Sequence, residues 1–182
     1  VIYQFYGLMF NGELISNEKI RIPALKGNMG KHEYYMLSIE PSILLKIGFV
    51  LHRTKVNDSM SQPTYQRLLV PSRLKGIGKF IDDGGYFPNS IIINFDCSDK
   101  KLNIDFQPAG RTSSDSDSRF GTLILPNAYG IAYIIDGQHR VYGYSASQKN
   151  YKDTNTIPVV AFKNMDANDQ LQIFMDINEN QK

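Results

Sequence analysis

The chain has 182 residues, of which 42% are hydrophobic and 21% charged, and its formal net charge is +2. This is room for one domain with a sizeable core, or one domain with an appendage, and it excludes wholesale disorder. A charge so close to neutral supplies no whole-molecule field for nucleic acid or membrane, so any such partner must meet a local patch.

No apolar run approaches the roughly 18 residues of a membrane-spanning helix. The single cysteine, Cys97, excludes an intramolecular disulfide, which fits a reducing cytoplasm and equally a secreted protein without disulfides. There is no initiator Met and no signal-peptide pattern, and the sequence stops at Gln181-Lys182 just after a helical pattern. A piece trimmed from a longer cytoplasmic protein is expected.

In chain order, the first forty residues read as strands. Tyr3, Phe5 and the run from Gly7 to Phe10 suggest one, closed by the Asn11-Gly12 turn. Ile20 and Ile22, then Tyr35 to Ile39, suggest others around a turn at residues 27–30. Pro41 suits a first helical position, with Ile43, Leu44 and Ile47 as the apolar stripe. Pro71 starts or kinks a second helix carrying Leu74, Ile77, Phe80 and Ile81, which Gly84-Gly85 ends.

From there the pattern turns to short apolar runs. Ser90 to Phe95 reads as a buried strand, residues 111–119 as a mobile polar loop, and Thr122 to Leu125 as a second strand. Ile131 to Ile135 is a third and ends directly in Asp136-Gly137-Gln138-His139-Arg140. A helix follows to about Gln148, with Val141, Tyr144 and Ser145 facing the sheet. Ile157 to Phe162 is the next strand. Asp166 or Asn164 caps a last helix, with Leu171, Phe174 and Met175 on its inner face.

The fold expected is α+β, a mixed sheet with packed helices, as a single domain over residues 1–182. Residues 1–40 form its strand-rich part, 41–86 its helical part and 87–182 its core.

The strand-to-helix turn carries the chemistry. Gly137 lets the chain turn sharply and lets a ligand approach without a Cβ in the way. The amides that follow, Gln138 included, point at one spot that favours an anion. Arg140 can add a guanidinium contact to phosphate, and His139 can donate a hydrogen bond or move a proton. Asp136 can hold Mg²⁺, orient water or meet a ribose hydroxyl. The competing reading is structural: Asp136 as an N-cap, Gly137 as strain relief, Arg140 paired with a carboxylate. By mechanism alone the two stand level.

The run Ile134 to Tyr144 (IIDGQHRVYGY), then IPVVAF at 157–162 and FMDINENQK at 174–182, resembles the DGQHR-domain family, to which the DndB proteins of DNA phosphorothioation gene clusters belong. The helix from Tyr65 to Ile81 and the run FPNSIIIN at 87–94 are similar as well. The likeness covers most of residues 44–182.

That family is similar to the ParB/sulfiredoxin superfamily, which implies such a core in the C-terminal half and nucleotide binding at a Gly-x-x-Arg turn, here Gly137 and Arg140. Gln138 stands where sulfiredoxins carry their reactive cysteine, so sulfinic-acid repair is not expected. No helix-turn-helix of the ParB kind is evident.

The resemblance also implies that Asp176, Asn178, Asn180 and Gln181 line the site, although a polar helix end needs no function. Asn89 and Ser90, just before a strand, are candidates for the same pocket or ordinary turn residues. Arg53, Arg67, Arg73, Lys75 and Lys79 make up the dense basic stretch, either DNA backbone contacts or a solvated face.

The function implied is binding of ATP or a related nucleotide, with slow Mg²⁺-dependent hydrolysis by Asp136, His139 and Arg140, in a DNA phosphorothioation or defence system. Other proteins of that system and a second copy of the chain are expected partners. Two rivals stand beside it: a non-enzymatic DNA-binding regulator of a phosphorothioation cluster, and an interaction domain whose turn is only a cap.

Overall fold

The computed structural model describes residues 2–50, 68–97, 102–110 and 117–179. Its frame is one mixed eight-stranded sheet. In chain order the strands are β1 (Ile20–Met29), β2 (His32–Ile39), β3 (Gly48–Phe49), β4 (Ile91–Phe95), β5 (Asp105–Pro108), β6 (Arg119–Leu125), β7 (Ala132–Asp136) and β8 (Ile157–Lys163). Across the sheet they lie β3-β7-β4-β8-β2-β1-β6-β5. The β3–β7 and β4–β8 pairs are parallel, and the other neighbours are antiparallel. The helices are α1 (Ile2–Met9), α2 (Pro41–Ile47), α3 (Pro71–Asp82), α4 (Gln138–Gly143), α5 (Tyr151–Thr154) and α6 (Ala167–Glu179). A 3₁₀ turn, Tyr144–Ala146, prolongs α4. The architecture is α+β.

Period-two alternation sorts the strand residues onto two faces. Ile91, Ile93 and Phe95 of β4, Ala132 and Ile134 of β7, and Val159 and Ala161 of β8 join the main core, where Leu44, Leu74, Val141 and Tyr142 from the helices meet them. The alternate residues, Tyr133, Ile135 and Phe162, form a smaller cluster with Phe49 and Met165, and Ile173 and Phe174 of α6 pack on it. Thus α2, α3 and α4 cover one face of the sheet and α6 the other.

Helices α3 and α4 cross closely because glycines stand at the contact. A Cβ on Gly78 would come 2.7 Å from the Ala146 backbone, and one on Gly143 would come 2.3 Å from Ile77 Cγ2. The start of α6 is held by two buried amide side chains that bracket Met165. Asn94 Oδ1 accepts its N–H at 2.9 Å, and Gln170 Nε2 donates to its carbonyl at 2.8 Å. Asp169 then pairs with Lys31 at 2.8 Å and with His32 at 3.1 Å on the β1–β2 turn.

Several local expectations are corrected. Residues 2–9 form α1 and not a strand. Gly7 lets this segment lie against β3, where a Cβ would stand 3.0 Å from the Gly48 carbonyl, so packing overrides the aromatic, strand-like composition. β1 runs through Gly27 to Met29, and the chain turns at Gly30, whose φ is +59°. Arg119 belongs to β6, while residues 111–116 of the expected loop lie outside the described ones. The helix after Gly137 winds as α4 to Gly143 and then as a 3₁₀ turn to Ala146, two residues short of Gln148.

On α6, Leu171 and Met175 are exposed, and the inner face is Gln170, Ile173 and Phe174. The buried amide of Gln170 breaks the apolar stripe that periodicity looks for. Asp166 does cap α6, its Oδ1 accepting the Asp169 amide at 2.8 Å. Among the described residues no helix is long and apolar enough to cross a membrane.

Candidate functional site

The β4–β7 register sets Ile92 opposite Asp136, so the chain entering β4 lies beside the chain leaving β7. Asn89 and Ser90 are thereby carried to the turn at residues 136–140. Gly137 occupies the left-handed region with φ +97°. A Cβ there would also stand 2.5 Å from Ile91 Cδ1 and 2.9 Å from Arg140 Nη2. Both the backbone and the space demand glycine.

The Arg140 guanidinium is engaged within the protein. Nη1 donates to the Asn89 carbonyl at 2.5 Å, and Nη2 donates to Asp136 Oδ2 at 2.9 Å and to the Ser90 carbonyl at 3.3 Å. It stitches the entry of β4 to the turn. Asp136 uses its carboxylate on this arginine, and Gly137 stands at the N-cap position of α4.

Beyond the turn lies a cavity of about 690 Å³. All five residues Asp136 to Arg140 border it, with Gln138 buried and His139 half-buried. Asn89 and Ser90 form its rim, and Ile77, Phe87 and Ile92 give it an apolar side. α6 supplies the opposite wall. Its 13 residues run roughly 20 Å back along the sheet from the end of β8. They return Phe174, Ile177 and Asn178 to the end where the turn lies. Asn178 Nδ2 donates to the Phe174 carbonyl at 2.6 Å.

Arg73 also borders the cavity, although its sequence context groups it with an exposed basic stretch. Lys75 and Lys79 do not border it. Arg53, Arg67, Asn180 and Gln181 lie outside the described residues. The apolar members Phe87 and Ile77 were missed as site residues. The signal for Phe87 was its place directly before Pro88 and Asn89.

The charged lining is thus Arg73 and Arg140 against Asp136, which suits an anion. With six residues α4 adds only a small dipole, so side-chain charge carries most of that preference.

Among the described residues Asp136 is the one carboxylate of the lining, and it is already paired. Among the described residues no cluster of three or more His, Cys, Asp or Glu could hold a metal. Cys97 is half-buried, and burial pushes its thiol up, away from nucleophilic use.

Comparison with curated proteins and with solved structures finds no match. A family model described as DndB, DNA-sulfur modification-associated, matches residues 22–182. That span takes in every strand of the sheet except the first two residues of β1, together with the turn and every described residue that borders the cavity. The chain therefore belongs to the DndB family and to the DNA phosphorothioation systems in which that family works.

Proposed function

We propose that the cavity at the Asp136–Arg140 turn binds a nucleotide, with ATP the first candidate, and that this binding serves the phosphorothioation system. One observation carries the reading. A single concavity of nucleotide size combines the cations Arg73 and Arg140 with apolar groups, Ile77 and Phe87 on one side and Phe174 on the other. A phosphate group suits the first and a base or ribose the second.

In this reading Arg140 acts by holding the Asn89–Ser90 rim in place, and by its charge. Arg73, which takes no part in the hydrogen bonds that close the turn, makes the direct phosphate contact with the amides after Gly137. Asn178 and Ser90 offer hydrogen bonds to sugar or base. The proposal is one of binding, and hydrolysis is not part of it. The rival regulator reading draws on the exposed cations Lys75 and Lys79 of α3.

Calorimetric titration of ATP, CTP and GTP with Mg²⁺ into wild type and Arg73→Ala tests it. Saturable binding of at least one nucleotide is expected, weakened in Arg73→Ala by about 1.5–3 kcal/mol, the value of a charge-assisted contact. Absence of heat with all three nucleotides overturns the reading.

A further inference from the structure

The exposed face of α3 leads out of the cavity. At about 100° per residue, Leu74, Gly78 and Ile81 form its buried side. Arg73 and Ile77 border the cavity. Continuing round the helix, Phe80 comes next, then the small residues Gly76 and Ser72, then Lys79 and Lys75, all exposed. From Leu68 to Ile81 the sequence has three cations and no acidic residue; Asp82, which follows, is tied to Ser147 and Gln148, and Asp83 is exposed at the end of the helix.

Phe80 is a placed ring. It lies 5.1 Å from Phe87, centroid to centroid, and over Gly85, where a Cβ would come within 2.4 Å of it. It nonetheless stays 45% exposed, and neighbouring Tyr86 is 76% exposed. Phe87 itself borders the cavity. Aromatic rings held at a cationic surface are the elements on which unpaired bases stack.

We infer that this face is a track for single-stranded DNA, an inference that rests on the nucleotide reading of the cavity. One nucleotide of the strand occupies the cavity with its base against Phe87. The adjoining phosphates pass Arg73 and the small residues Gly76 and Ser72 toward Lys79 and Lys75, and Phe80 and Tyr86 take neighbouring bases. A free nucleotide held in the cavity leaves both lysines and both outer rings unused. A duplex keeps its bases paired and stacked, away from the rings. DNA is the strand chosen because the family is associated with DNA-sulfur modification.

The test is fluorescence anisotropy of a labelled oligothymidylate, with a duplex of equal length and ATP as competitors. Wild type, Phe80→Ala, Phe80→Tyr and the Lys75→Ala/Lys79→Ala double variant are compared, with thermal melts to verify folding. The single strand is expected to bind more tightly than the duplex and to be displaced by ATP. Phe80→Ala should weaken strand binding about 5- to 150-fold, from roughly 1–3 kcal/mol per stacked base, while Phe80→Tyr retains it. The double variant should lower the log–log salt slope by up to about 1.4, at ~0.7 per phosphate contact. Strand binding unchanged in folded Phe80→Ala and in the double variant overturns the track. Tighter binding of the duplex overturns it too. ATP binding without strand binding refutes the track and leaves the nucleotide reading standing, whereas absence of both refutes the two together.

Discussion

Arg140 and Asp136 face each other across Gly137, with guanidinium Nη2 donating to carboxylate Oδ2 at 2.9 Å, and the same guanidinium reaches 51 positions back along the chain to the Asn89 carbonyl. One side chain therefore closes the turn on itself and fastens it to the neighbouring strand. Substituting it alters stability as well as any ligand contact.

Arg140→Ala should lower stability by about 1–3 kcal/mol, the range for leaving partly buried acceptors without their donor. Arg140→Lys should recover only part of this, because an ammonium cannot span the two carbonyls and the carboxylate as the planar fork does. Urea denaturation of the three proteins measures both effects. Equal midpoints for wild type and Arg140→Ala would show that the stitching contributes nothing.

Gly137→Ala combines a left-handed backbone with a Cβ 2.5 Å from Ile91 Cδ1. The backbone strain alone costs about 1–3 kcal/mol, and the clash adds to it by pushing Ile91 and Arg140 outward. A thermal melt should fall by several degrees, with the loss of any nucleotide heat. A melt like that of wild type would show that the turn can rearrange.

Tyr142 is almost wholly buried, and its hydroxyl has no hydrogen-bond partner among the described residues. Burial pushes its ionisation up, away from the physiological range. Removing an unsatisfied buried hydroxyl removes its desolvation cost, so Tyr142→Phe should be neutral or stabilising by up to about 1 kcal/mol. A destabilised Tyr142→Phe, read by denaturant midpoint at unchanged slope, would reveal a hydrogen bond to this hydroxyl.

Asp82 ties the end of α3 to the chain after α4. Its carboxylate accepts the Ser147 hydroxyl, the Gln148 amide at 2.8 Å and the Lys149 amide at 3.3 Å. These bonds, that of Ser147 foremost, hold its pKa below the ordinary 3.8. A depressed folded value means the contribution is present above the unfolded pKa and fades as pH falls through the folded one. The stability gap between wild type and Asp82→Asn should thus stay level from pH 7 to about 5 and narrow below about 4. Urea melts at pH 7, 5 and 3 test this, and a gap undiminished at pH 3 would contradict it.

Much of the frame was legible because its signals are local. Pro71 and Gly84 bound α3 within two residues of where the chain starts and stops winding. The run Ile131 to Ile135 reads as a buried strand, and it is buried throughout. The glycine at 137 marks a sharp turn from strand to helix, and the backbone there is left-handed. Each inference needs only the residues a few positions away. The converging set Asn89, Ser90, Gly137 and Asn178 was also reached from sequence, partly through resemblance to a family.

Tertiary structure decided what depends on partners distant in the chain. The aromatic segment at residues 2–9 is a helix because Gly7 packs against Gly48 and Phe49. α6 turns Gln170 inward because the Met165 carbonyl needs a donor there. Arg73 and Lys75, two positions apart, part company because α3 rotates by about 200° between them, one to the cavity and one to solvent. Arg140 meets the Asn89 and Ser90 carbonyls because the β4–β7 register aligns Ile92 with Asp136. Sequence specifies which groups are available and which local turns they favour. Which of them meet is settled by burying two faces of one sheet at once, a condition no short window of residues contains.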